Sequence, residues 1–163
     1  MKIDNRNQIY KNNPEENIVF FPLLEEMLQQ GKTVKIALSG LSMFPFLMHG
    51  DIVQVVSVKN KKPKKGDIVV FELNGKWIAH RLIKHNLKKN LYYTRGDSRT
   101  TKDSPQPPEN IKGIVVNILQ SRWQVARFAT GKLGRVIAFC SVVTAPFFHF
   151  VIWIKSLGKN KGL

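Results

Sequence analysis

Residues 67–84 read DIVVFELNGKWIAHRLIK. Residues 67–73, with the apolar run 68–71 at their centre, have the length of a strand. Asn74-Gly75 is the dipeptide that two-residue hairpin turns favour, so 76–84 is expected to return alongside as a second strand, carrying His80 and Arg81. The pattern continues on both sides. Residues 51–58 are rich in Val and Ile, 59–66 form a lysine-rich loop with Pro63, and 85–90 form a basic turn. Residues 91–95 and 111–119 read as further strands, separated by a polar loop with three prolines. Five or six short strands with closely spaced turns predict a compact, mainly β domain.

Upstream, residues 14–30 turn helical. Pro14 can open the helix with Glu15 and Glu16 in its first turn. Leu24, Met27 and Leu28 share a face, Gly31 is the expected stop, and Pro22 is a candidate break into two short helices. Residues 33–38 alternate as a strand. Residues 1–13 are expected to be a polar tail with neither an export signal nor a membrane anchor.

Between that strand and residue 51 lies Ser39–Asp51, SGLSMFPFLMHGD. Gly40 permits a tight turn directly before Ser42. Met43 and Leu47 can anchor the segment, and Pro45 is expected to keep Phe44 extended. The Ser42 hydroxyl would then be held outward. Four polar residues recur at the domain's turns: Ser42, His80, Asp97 and Asp103. A serine hydroxyl needs an adjacent base to become a nucleophile. Imidazole is the side chain suited to that task near neutral pH, and an aspartate behind it would fix the tautomer. His80 is the leading base, with His49, His85 and His149 as rivals.

The chain has 163 residues, 43% of them hydrophobic, with 26 basic against 11 acidic residues and a net charge of +15. That length suits one domain with appendages. The charge suits an anionic partner. The single cysteine, Cys140, excludes an intrachain disulfide. No zinc spacing, phosphate-cradling glycine loop or dinucleotide fingerprint is present, so neither a cofactor nor a metal is expected. Residues 136–154, VIAFCSVVTAPFFHFVIWI, contain no charged residue and have basic flanks. They are expected to form a hydrophobic helical segment, open to three readings: a span, an interfacial or re-entrant membrane contact, or packing on the domain. The expected divisions are a tail at 1–13, a domain at 14–120, and a basic linker with the hydrophobic segment at 121–163.

Ser42-Met43-Phe44-Pro45-Phe46-Leu47 with Gly50-Asp51 resembles the SMxPxL…GD box of type I signal peptidases. Residues 65–71, KGDIVVF, resemble their second box. His80-Arg81-Leu82-Ile83 resembles the box of the endoplasmic reticulum, archaeal and sporulation subgroup, which has histidine where the usual bacterial enzymes have lysine. Thr94-Arg95-Gly96-Asp97 resembles the GD box, Asp103 falls where the subgroup has a later acid, and Gly113 matches the closing glycine. The boxes lie in order over residues 36–118. The resemblance is to S24/S26 serine peptidases of the Ser-His subgroup. It implies the mainly β signal peptidase/LexA-like fold, with Ser42 as nucleophile, His80 as general base, Asp103 as first choice for the orienting acid and Asp97 as second. Arg81 and Asp51 are expected to be a strand-end charge and a turn acid, and Arg95 to be solvated. Three departures stand out. A helix and strand occupy the usual place of an anchor, Gly40 replaces the family's frequent oxyanion serine, and Asp97-Ser98-Arg99 lacks the subgroup's asparagines.

The resemblance implies a serine endopeptidase that trims a leader or signal-type segment from a precursor peptide. It would be membrane-associated with the β domain facing the cytoplasm, or else cytoplasmic; an anionic membrane is a second expected partner. A LexA-type regulator shares the fold, but residues 1–41 lack a helix-turn-helix pattern. The alternative is an inactive peptidase scaffold that binds anionic membrane or nucleic acid through the lysines at 59, 61, 62, 64 and 65. Nucleic acid is not an expected partner, because no aromatics interleave with those lysines.

Overall fold

The computed structural model describes residues 17–123 together with Ala126, Ala129, Thr130 and Val136. The expected tail at 1–13 and all of the hydrophobic segment except Val136 lie outside the described residues. Helix α1 (Asn17–Gln29) precedes six strands: β1 (Val34–Ala37), β2 (Ile52–Ser57), β3 (Ile68–Leu73), β4 (Lys76–Asn86), β5 (Leu91–Arg95) and β6 (Ile111–Gln120). They form one sheet in the order β1-β2-β6-β3-β4-β5, with every neighbouring pair antiparallel. The fold is mainly β, as the strand pattern predicts. No described helix is long and apolar enough to cross a membrane.

The β3–β4 hairpin forms where Asn74-Gly75 places it. Both residues have positive φ, 53° and 69°, as a type I′ turn requires. The turn fixes the register, so that Leu73 faces Lys76 and Val69 faces His80. β3 opens on the apolar run 68–71 because both its faces are covered there, and its one polar residue, Glu72, lies near the partly exposed end. Ile68 and Val70 join a core with Leu24 and Leu28 of α1, while Val69 and Phe71 join a second core with Leu82, Ile111 and Ile114. At Gly113 of β6 a Cβ would stand 2.5 Å from Val55 Cγ1, so only glycine lets β2 and β6 approach this closely.

α1 is one continuous helix and is not split at Pro22. The proline sits in the second turn, where the helix loses one ladder hydrogen bond and apolar burial outweighs that loss. Phe21 stacks on Trp77 with centroids 5.2 Å apart. Lys112 of β6 bonds Glu25 of α1 at 2.9 Å and Glu72 of β3 at 3.2 Å, which ties the helix to the sheet.

Candidate active site

Ser42 lies in the β1–β2 loop. Its neck is closed by hydrogen bonds from Leu38 N–H to Asp51 O and from Gly50 N–H to Leu38 O. Asp51 is the expected turn acid: its carboxylate accepts from Met48 N–H at 2.9 Å. The segment is not extended, as Pro45 was expected to make it. Phe44 N–H donates to Leu41 O and Leu47 N–H to Met43 O, and the Phe44–Pro45 peptide is cis. These turns bury Met43, Phe44 and Leu47, and that apolar anchoring outweighs an extended path.

His80 is on β4 and only 4% exposed, with its ring edge-on to Phe71. Its Nε2 lies 2.9 Å from Ser42 Oγ and its Nδ1 lies 2.7 Å from Asp103 Oδ2. Thr94 Oγ1 donates to the same carboxylate oxygen at 2.7 Å, and Asp103 N–H donates to Thr94 O. Burial pushes the Asp103 carboxyl up. The hydrogen bond and charge of His80, the Thr94 hydroxyl and the charge of Arg99 together outweigh burial and hold it below the usual carboxylate value. An ionised carboxylate only accepts. Nδ1 therefore carries the proton, and in the neutral ring Nε2 is left to accept from the Ser42 hydroxyl.

Asp97 does not reach His80. It is bound bidentately by Arg81, Nε to Oδ1 at 2.7 Å and Nη2 to Oδ2 at 2.6 Å. Successive strand residues point to opposite faces, so Arg81 turns away from His80 and takes Asp97 with it. Arg81 is not a strand-end charge. It lies within β4, is fully buried, and also donates to Gly66 O and Ala129 O. Arg95, expected to be solvated, is 5% exposed. His49 is exposed, His85 stacks on Tyr92 at 4.1 Å, and His149 lies outside the described residues.

The β5–β6 loop also holds Ser42 from behind, which sequence reasoning missed. Ser98 N–H and Oγ both donate to Ser42 O, at 3.0 and 2.9 Å. A Cβ on Gly96 would stand 2.5 Å from the same oxygen. The glycine in TRGD was the only available signal. The Ser42 N–H has no acceptor among the described residues. Beside Ser42 and His80 opens a cleft of about 300 Å³, lined by Ile36 and Leu38 on one side and Trp77 and Ala79 on the other. Three strands separate β1 from β4 in the sheet order, so the sheet curls to bring them to one cleft.

A serine hydroxyl, an imidazole and a carboxylate hydrogen-bonded in series beside a cleft have the geometry of a serine hydrolase site. Residues 6–99 match the family model described as Peptidase S24-like, and the chain belongs to that family. The match includes Ser42 and His80 and ends before Asp103. The chain is also similar to "Signal peptidase complex catalytic subunit SEC11" of Lodderomyces elongisporus, 42% identical over 74 residues, which is 43% of each chain. The subunits of the same name from Candida tropicalis and Candida albicans are 40% and 39% identical over 74 residues. The chain spans less than half the length of these curated relatives.

Proposed function

We propose that the protein is a serine endopeptidase that cuts a leader or signal-type segment from a precursor peptide. The observation that carries this reading is the hydrogen-bonded series Ser42–His80–Asp103, with separations of 2.9 and 2.7 Å. The SEC11 relatives' name supports the substrate class. In the proposed reaction His80 Nε2 takes the Ser42 proton as Oγ adds to the scissile carbonyl carbon. The Ser42 N–H donates to the oxyanion, since position 40 is glycine and offers no side-chain donor. His80 then gives the proton to the leaving amine as the C–N bond breaks. Water, deprotonated by the same nitrogen, hydrolyses the acyl-serine ester. Asp103 holds the ring and stabilises the imidazolium. The apolar, basic-flanked run 136–154 supports a membrane contact near such a precursor.

Ser42→Ala and His80→Ala are each expected to lower peptide cleavage by roughly 10³-fold or more with unchanged circular dichroism. Cleavage at the unsubstituted rate in both variants contradicts the mechanism.

A further inference from the structure

The cleft has a charge pattern that the Ser42–His80–Asp103 series does not use. Two exposed cations, Lys76 and Arg99, line it, and among the described residues no aspartate or glutamate does. Arg99 stands on a braced backbone. Its N–H donates to Gly96 O at 3.0 Å, Ser98 beside it is bonded to Ser42 O, and Asp97 is locked to Arg81. The side chain therefore projects from a point fixed relative to Ser42. It lies near enough to Asp103 for its charge to stabilise that carboxylate. Lys76 opens β4 at the hairpin and lines the same cleft.

We propose that this cleft selects peptide segments carrying a carboxylate side chain close to the bond that is cut, since Ser42, His80, Lys76 and Arg99 line one cleft, with Arg99 as the primary seat and Lys76 as a second cation. The proposal rests on the peptidase reading of the site and adds a substrate feature to it. A guanidinium presents a planar fork that matches a carboxylate with two parallel hydrogen bonds. The +15 charge of the chain draws acidic segments towards it at low salt.

The test uses the full chain carrying Ser42→Ala, so that binding is read without turnover. The probes are fluorescent nonapeptides of alanine and leucine with a single Asp, Asn or Lys scanned along them. Anisotropy is expected to show Asp peptides binding about three- to tenfold tighter than Asn peptides at one or two adjacent positions, the size of one or two partly exposed ion pairs. Lys peptides are expected to bind more weakly than Asn. Arg99→Gln with Lys76→Gln should flatten the series, and Arg99→Glu should reverse it. Equal affinities at every position, no measurable binding by any peptide, or a preference unchanged in Arg99→Glu overturns the proposal. Turnover of the same peptides by the unsubstituted chain reads the other claim. Acidic peptides that bind selectively and are never cut would refute the peptidase reading while leaving the charge selection standing.

Discussion

At the scale of the residue, the ionised state of Asp103 decides what His80 can do. A carboxylate accepts from Nδ1 and leaves Nε2 facing the Ser42 hydroxyl as an acceptor. An amide at 103 can donate instead and trap the opposite tautomer. Asp103→Asn is therefore expected to lower kcat by roughly 10²- to 10⁴-fold, measured on any peptide the protein cleaves. The substitution also has a stability signature. The folded protein holds this carboxyl below its usual value, so its stabilising contribution is present above the usual carboxylate range and is lost as pH falls through the lowered value. The difference in melting temperature between the two proteins should be largest near neutral pH and shrink on acidification. A constant gap down to strongly acidic pH would contradict the coupling. Ser42 and His80 were nameable from the sequence because each stands in a short motif, and Asp103 because it follows the TRGD box where the resembled subgroup has a later acid. Which aspartate meets His80 was not, because Asp97 and Asp103 share one loop. Strand alternation at Arg81 captures Asp97 on the far face, and that is a property of the pairing.

At the scale of the element, two loops act as one unit. The β1–β2 loop presents Ser42, and the β5–β6 loop supports its carbonyl through Ser98 and packs Gly96 against it. The buried Arg81–Asp97 pair holds the second loop to β4, and the Arg81 guanidinium also lies 5.9 Å from the Phe46 ring of the first. Removing one partner of such a pair typically costs about 3–5 kcal/mol. Gly96→Ala tests the arrangement more selectively. Its Cβ would meet the Ser42 carbonyl oxygen at 2.5 Å, so the serine backbone must shift. A displacement near 1 Å is worth about 100-fold in rate. Kinetics alongside thermal melting should show kcat/KM falling far more than stability. The strands were legible within a residue or two, because periodicity and the Asn-Gly turn are local signals. The path of residues 42–47 was not, because burial of Met43, Phe44 and Leu47 against distant strands sets it.

At the scale of the whole molecule, the site depends on a curled sheet whose first core is closed by α1. Leu24 and Leu28 are almost fully buried against Val34, Val53 and Val70. Leu28→Ala is expected to lower unfolding free energy by about 2–5 kcal/mol, measured by urea titration, with activity per folded molecule retained because α1 contributes nothing to the Ser42–His80–Asp103 series. The helix was legible from its apolar face and the Gly31 stop. The meeting of β1 and β4 across three intervening strands was not, since it follows from twist accumulated over the sheet.

The central claim is that Ser42 is an activated nucleophile. Its most direct test is peptide mapping of the intact chain after reaction with a serine-directed acylating probe. The account predicts one modified residue, Ser42, with labelling lost in His80→Ala and strongly slowed in Asp103→Asn. Label confined to another serine, or labelling of Ser42 that is indifferent to His80, would contradict it.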